Sequence, residues 1–169
     1  MTRTLAALNA LPSSDMEREL LACCGSRAWA RVVAEGRPYA DIEALIDASD
    51  RAWSSLTPDD WREAFAAHPR IGERAPATAA ARERGWSERE QSRAQTGDPA
   101  VLAELASANA EYEDRFGHVF LICATGKSAD EILANARARL HNDPRRELLV
   151  AAEEQRRITH LRLRRLLGT

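Results

Sequence analysis

The sequence has little cysteine, and neither sign of charge dominates it. Its three cysteines, Cys23, Cys24 and Cys123, form no Cys-x-x-Cys pair, and no histidine stands at zinc-ligand spacing from them. This pattern predicts reduced thiols in a cytosolic protein rather than a disulfide framework or a zinc site. Lysine and arginine number 24 against 26 aspartate and glutamate residues, so the charge balance does not indicate nucleic acid as a partner.

The chain of 169 residues also lacks a long apolar run. No segment approaches the roughly 20 apolar residues of a membrane span, and the first twenty residues do not resemble a secretory signal. We therefore expect no membrane attachment and a cytoplasmic location. The ending Leu167-Gly168-Thr169 is not a peroxisomal Ser-Lys-Leu signal, which favours a bacterial cytosolic protein. The length fits one domain, 1–169.

Helix start signals recur along the chain and predict an all-α, single compact multi-helix domain. Ser14 with Glu17, and Ser128 with Glu131, have the spacing of a capping box. Apolar residues recur at intervals of three and four after two of the prolines, which predicts helices with one face in the core. Three more helices are expected where a capping residue precedes proline, at Thr57-Pro58, Asp98-Pro99 and Asp143-Pro144.

Two segments interrupt the helical pattern. Residues 70–86 predict a loop that is compatible with a mobile lid or with an ordered dimer contact. Residues 118–125 are apolar and fit either a strand or a buried extended link. The following Gly126-Lys127-Ser128 match the last three residues of a phosphate-binding loop motif. That motif needs glycine five positions before Gly126, where this sequence has Leu121. We interpret Ser128 as a helix N-cap instead.

His68 is the first candidate for chemistry. Because Pro69 follows it, helical backbone is disfavoured at His68, so the ring is expected where a helix stops and a cavity begins. An imidazole titrates near neutral pH and can therefore transfer protons. A purely structural contact with the last carbonyls of the helix is the alternative.

Two further sites could bind an anion. Ser87 and Glu90 have capping-box spacing, which predicts a helix start whose free amides suit an anionic substrate, with Glu90 or Gln91 directed into the same pocket. Capping alone is the alternative there. Arg162 borders the apolar stripe of the last helix, where its guanidinium could hold a carboxylate or simply extend along the surface to solvent.

Taken together, several blocks of the sequence resemble one family, the 2-oxo-4-hydroxy-4-carboxy-5-ureidoimidazoline (OHCU) decarboxylases, which perform the last of three steps from urate to allantoin. The resemblance covers nearly the whole chain, and the order and spacing of the blocks make it specific. The blocks are His68-Pro69-Arg70-Ile71-Gly72, Ser87-x-x-Glu90-Gln91, and residues 116–126, 140–143 and 158–163.

The resemblance implies a homodimeric enzyme without metal or organic cofactor that converts OHCU to (S)-allantoin and CO2. The family's catalytic histidine corresponds to His68, and Glu90 either orients the imidazole or binds the substrate hydroxyl. Position 118, aromatic in many relatives, is His118 here, so its contact with substrate stays open. The implied substrate-binding residues are Pro69, Ser87, Glu88, Arg89, Glu90, Gln91, Phe120, Leu121, Ile122, Cys123, Ala124 and Arg162.

A second class of function remains open from the sequence. The chain could be a non-catalytic helical module that binds a purine-breakdown intermediate or a protein partner. Such a module would keep the pocket without turnover. The two hypotheses therefore differ in whether a substrate is consumed.

Overall fold

A computed structural model describes residues 3–73 and 81–169 of the protein. Nine α-helices and no strand occur in these ranges, which confirms the prediction of an all-α fold. No helix within these two ranges is both long enough and apolar enough to cross a membrane. The helices are α1 (Leu5–Asn9), α2 (Ser13–Leu21), α3 (Arg27–Glu35), α4 (Ile42–Ser54), α5 (Pro58–Ala66), α6 (Ala81–Glu90), α7 (Pro99–Phe116), α8 (Ala129–Arg139) and α9 (Pro144–Leu167).

Most helix starts follow from local chemistry. Ser128 accepts a hydrogen bond from the Glu131 amide while the Glu131 carboxylate accepts one from the Ser128 amide, so the predicted capping box opens α8. The hydrogen bonds that the Glu131 carboxylate accepts, first from the Ser128 amide and then from the Ser128 hydroxyl, hold the pKa of Glu131 below its ordinary value. Thr57 and Asp60 form the same arrangement at α5. Helices α7 and α9 begin at the prolines predicted for them.

The helix start predicted at Ser14 is wrong. Helix α2 begins at Ser13 after Pro12, which makes no side-chain cap, so Ser14 lies inside the first turn rather than at the N-cap. The ring of Pro12 fixes its φ at −55° with extended ψ, and its carbonyl accepts from the Asp15 and Met16 amides. Proline therefore sets this boundary, and the hydroxyl is not needed for it.

The chain divides into two units. The first comprises the residues up to Ala67 together with Arg156–Thr169. Its largest fully buried side chains include Trp29 and Phe65, and the Trp29 indole donates to the Ser49 carbonyl at 3.2 Å. The core of the first unit therefore includes two fully buried aromatic rings, and the indole N–H of Trp29 has a hydrogen-bond partner.

The second unit is His68–Gln155. Its core packs α7 and α8 around the segment that links them, residues 117–128, whose Phe120, Leu121 and Ile122 are buried. Between Gly117 and Ser128 this segment contains neither helix nor strand, so of the two alternatives the buried link is the one that fits the structure. The link is apolar because it runs through the core.

A buried ion pair fastens this link. Arg139 of α8 donates through Nη1 to the Leu121 carbonyl at 2.8 Å, and its guanidinium lies 4.7 Å from the centre of the Phe120 ring. Its charge is balanced by Glu147 of α9, which is fully buried and accepts from Arg139 Nε at 2.8 Å and Nη2 at 2.5 Å. Three elements of the second unit are thereby joined at one charged site.

Candidate active site

His68 lies directly after the end of α5, as its proline neighbour predicts. Helix α5 ends at Ala66 with Ala67 as its C-cap, and His68 is half-buried. Its Nε2 atom lies 2.8 Å from Oε1 of Gln155, a residue 87 positions away on α9. Gln155 is completely buried. The imidazole is therefore held by a packed side chain that the sequence motif does not contain.

The turn after His68 is held from three sides. Arg70 makes a two-pronged ion pair with Glu113 of α7, at 2.6 and 2.9 Å, which keeps the pKa of Glu113 below its ordinary value. The Asn109 amide donates to the Ile71 carbonyl at 2.9 Å. Gly72, whose φ is +91°, donates its N–H to Gln91 Oε1 at 2.9 Å. A left-handed φ is cheap only for glycine, which explains that residue here.

The helix start predicted at Ser87 is wrong. Helix α6 spans Ala81–Glu90, so Ser87 is its seventh residue. Only the N–H groups of the first turn lack partners within a helix, and the amides around Ser87 lie beyond that turn. The predicted loop 70–86 is likewise helical from Ala81 onward, and its residues 74–80 lie outside the described ranges. Because 81–84 are strong helix formers, the helix runs through Gly85 at a cost of only about 1 kcal/mol.

The end of α6 still presents a polar face to the interior. Ser87, Glu90 and Gln91 are all less than 10% exposed, whereas Glu88 and Arg89 are exposed to solvent. Residues three and four apart share one face of a helix, which explains the division. The structure thus separates the five predicted binders into three buried and two exposed side chains.

The predicted substrate-lining segment 120–124 has backbone groups already engaged by charged side chains. Besides the Leu121 carbonyl bound by Arg139, the Cys123 N–H donates to Glu154 Oε2 at 2.7 Å. Cys123 is half-buried, and the other four residues of the segment are buried. Burial, then the nearby carboxylates of Glu154 and Glu90, raise the pKa of the Cys123 thiol. Of these two carboxylates, Glu154 has the larger effect on the thiol.

Arg162 belongs to the first unit and is buried, with only 7% of its surface exposed. The alternative of a side chain extended to solvent is therefore wrong. Its Nη1 donates to the Ala22 carbonyl at 3.4 Å. Burial raises the pKa of the neighbouring Cys24 to about 12, although the charge of Arg162 opposes that shift. The contact of Arg162 with a substrate stays a prediction.

Sequence reasoning missed the contacts of three polar residues of the second unit. Gln155 contacts His68, Glu154 accepts from the Cys123 N–H, and the Asn109 side chain donates to the Ile71 carbonyl. Gln155 continues the apolar stripe of α9 between Ala152 and Ile158, both buried. A glutamine on a core-facing stripe is the signal that could have identified it, since buried polar groups need partners. Asn109 likewise stands in the stripe of α7, and its Oδ1 is a buried acceptor without a partner in the described part of the chain.

His118 packs as an aromatic residue would. Its ring meets the Tyr112 ring edge to face, with the centroids 5.5 Å apart, and its Nδ1 lies 3.1 Å from the Val119 carbonyl oxygen. It is half-buried. The imidazole at position 118 is thus accommodated by its edge-to-face packing on Tyr112.

Neither a cavity nor a cluster of metal ligands adds a further candidate site in the described residues. A cavity of about 170 Å³ lies beside the turn 70–73 and is bordered by α7 residues, but neither His68 nor Glu90 lines it. Within residues 3–73 and 81–169, no three His, Cys, Asp or Glu side chains are grouped so that they could hold a metal ion. The geometry of the candidate site therefore rests on His68 and the buried Gln155 that contacts it.

Comparison with known proteins decides the family. The family model for OHCU decarboxylase matches residues 9–164 of the chain. The chain belongs to the OHCU decarboxylase family. It is similar to the uric acid degradation bifunctional protein TTL of Arabidopsis thaliana, with 38% identity over 89% of this chain and 47% of the plant protein. This member of the family thus spans about half the length of that relative.

Two further matches each cover at least three quarters of both chains. The 2-oxo-4-hydroxy-4-carboxy-5-ureidoimidazoline decarboxylase of Amia calva is 31% identical over 79% of this chain and 77% of its own. A crystal structure of OHCU decarboxylase in the presence of (S)-allantoin has 35% identity and a TM-score of 0.77, covering 89% of this chain and 98% of that one. The OHCU decarboxylase family therefore accounts for both the sequence and the helical fold.

Proposed function

We propose that this chain catalyses the decarboxylation of OHCU to (S)-allantoin and CO2 without a cofactor, as the last step from urate to allantoin. The observation that carries the proposal is the half-buried His68 at the end of α5, bound to the buried Gln155. Membership of the family and the likeness to a decarboxylase crystallised with (S)-allantoin support it.

The chemistry of the substrate explains what the protein has to supply. The carboxylate of OHCU is attached to a ring carbon next to an unsaturated carbon-nitrogen bond. When CO2 leaves, the electron pair of the broken bond passes into that unsaturated system, and a proton must then be added to carbon. The enzyme would hold the breaking bond perpendicular to the ring and exclude water. It would then add the proton from one side only.

We assign the proton delivery to His68, because an imidazole can donate near neutral pH. Glu90 is buried at the end of α6, and its charge contributes to the raised pKa of the Cys123 thiol. Since Gln155 already engages His68 Nε2, we assign Glu90 to the substrate hydroxyl rather than to that nitrogen. Pro69, the polar residues 87–91 and the backbone of 120–124 would complete the binding surface.

We assign the anchoring of a substrate anion to Arg162, whose guanidinium can make two parallel hydrogen bonds to a carboxylate. Arg162→Ala should raise KM at least tenfold with a smaller effect on kcat, because binding is lost before chemistry. The matched control is Arg164→Ala, since Arg164 pairs with Glu43 on the exposed surface. An unchanged KM in Arg162→Ala would remove Arg162 from the binding surface.

We also propose that the protein is a cytoplasmic homodimer. The family resemblance supports the dimer, and three cysteines that form no disulfide suit a reducing compartment. Light scattering after gel filtration should give twice the mass of the 18.7 kDa chain. A mass of one chain at micromolar concentration would contradict the dimer.

The decarboxylase proposal is tested with freshly prepared product of urate oxidation. Circular dichroism should develop the signal of (S)-allantoin faster with the protein than without it. The uncatalysed rate must be subtracted, because the substrate decays and racemises spontaneously. The non-catalytic alternative predicts saturable binding with no rate above that background.

A further inference from the structure

We infer that Gln155 is the positioning residue of His68, fixing which ring nitrogen carries the permanent hydrogen and which one exchanges a proton with the substrate. The inference rests on the proposed function for its link to turnover. It begins with one contact, the 2.8 Å approach of Gln155 Oε1 to His68 Nε2. The two residues are 87 positions apart in the sequence, so only the fold brings them together.

The chemistry of the contact decides the tautomer. An amide oxygen can accept a hydrogen bond but cannot donate one, so Nε2 of His68 must carry the hydrogen. In the neutral ring the lone pair is then on Nδ1, which is the nitrogen that gains and releases a proton. Proton transfer therefore occurs at Nδ1, while Nε2 stays bound to the protein.

Burial gives the contact its rigidity. Gln155 is 0% exposed and stands on α9 between the buried Ala152 and Ile158. A side chain packed inside a helix face has few rotamers, so the oxygen remains at one position. The imidazole, which follows α5 and is half-buried, is thereby held in one ring orientation. A mobile surface glutamine could not do this.

The neutral amide also differs from its neighbours on α9. Glu154 precedes it, and that carboxylate is bound to the Cys123 N–H at 2.7 Å. A carboxylate at position 155 would stabilise the imidazolium and typically raise its pKa by 1–3 units. An amide orients the ring without adding a charge. Glutamine therefore favours a histidine that can both donate a proton and recover one.

The test uses nitrogen-15 NMR of the histidine rings together with steady-state kinetics. His68→Asn identifies the His68 signals by their loss. The wild-type protein should show His68 with hydrogen on Nε2. Gln155→Met keeps the length and volume of the side chain but removes the oxygen, so we expect a mixture of tautomers, a kcat lowered about tenfold or more and a KM within about threefold. Gln95→Met, at an exposed glutamine, is the matched control.

Gln155→Glu provides the second variant. Its carboxylate still accepts from Nε2, so the tautomer should be kept while the titration midpoint of His68 rises by about one pH unit or more. A wild-type ring protonated on Nδ1 would overturn the inference, as would a Gln155→Met protein with unchanged tautomer and kcat. If Gln155→Met fails to fold, the wild-type spectrum and Gln155→Glu still decide.

The NMR result separates the two levels of the argument. If the wild-type protein does not turn over OHCU, the proposed function fails, and the tautomer still reports on Gln155. If the wild-type protein is active but its tautomer does not depend on position 155, the positioning role fails alone.

Discussion

Glu147→Gln is the most informative change to the scaffold, because it removes one charge from a buried network and keeps its shape. Glu147 is completely buried, and its Oε1 accepts from Arg139 at 2.8 and 2.5 Å and also from the Tyr112 hydroxyl. Its Oε2 accepts from Asn142 at 2.8 Å. Burial and the hydrogen bond that its hydroxyl donates to Glu147 raise the pKa of Tyr112, so the phenol remains a donor.

The expected magnitude follows from what is left behind. In Glu147→Gln the guanidinium of Arg139, whose side chain is 9% exposed, stays buried without its counter-charge. Breaking a buried ion pair in this way costs about 3–5 kcal/mol, and the retained amide oxygen places the estimate near the lower end. The link held by Arg139 at the Leu121 carbonyl should loosen as well, so activity should fall with stability.

Urea unfolding followed by circular dichroism measures this cost. With a slope of about 2–3 kcal/mol per molar, a loss of 3 kcal/mol lowers the midpoint by about 1 M or more at unchanged slope. The matched control is Glu104→Gln, since Glu104 pairs with Arg137 at an exposed site. Loss of this pair should lower the free energy of unfolding by less than about 1 kcal/mol. Equal midpoints for the two variants would refute the reasoning.

The remaining predictions concern the turn after His68 and the cysteines. Gly72→Ala should destabilise the protein by about 1–2 kcal/mol through its φ of +91° alone, since no described atom lies within 4 Å of the added carbon. Gly85→Ala, which lies in a helix and also has no described atom within 4 Å of the added carbon, should instead stabilise the protein by up to about 1 kcal/mol. The unfolding temperatures of the two variants test this, and equal shifts in the same direction would contradict the role of the backbone conformation. In native iodoacetamide labelling read by mass spectrometry, Cys123 should react before the buried Cys24, whose pKa is raised to about 12. Because the pKa of Cys123 is also raised, its thiolate forms at higher pH than usual and its labelling should still accelerate above pH 9. Faster labelling of Cys24 would contradict this order.

Local chemistry made the fold largely predictable. Thr57 and Ser128 open α5 and α8 because a hydroxyl beside a carboxylate three residues later satisfies amides that nothing else can reach. The same spacing predicts helix starts at Ser14 and Ser87, and both predictions are wrong. Pro12 sets the start of α2, and the helix formers before Ser87 extend α6 backward, so Ser-x-x-Glu lies inside a helix in both cases. The pattern alone does not separate a start from an interior turn.

The candidate site was predictable only in part. His68 and its place after a helix follow from the proline beside it, and the buried Glu90 and Gln91 follow from the family resemblance. The partners of Gln155 and Glu154 could not be found from the local sequence pattern, because they lie 87 and 31 residues away. Both contacts form only when α9 packs in the folded protein. The glutamine at position 155, in the apolar stripe of α9, is the signal in the sequence that indicates a buried polar contact.

The most direct measurement of the central claim is the handedness of the allantoin formed by His68→Asn beside the wild-type protein. Both are given fresh OHCU, and the product is resolved on a chiral column after subtraction of the uncatalysed reaction. The account predicts (S)-allantoin from the wild-type protein and a nearly racemic product at close to the background rate from a folded His68→Asn protein. Undiminished formation of (S)-allantoin by His68→Asn would contradict it.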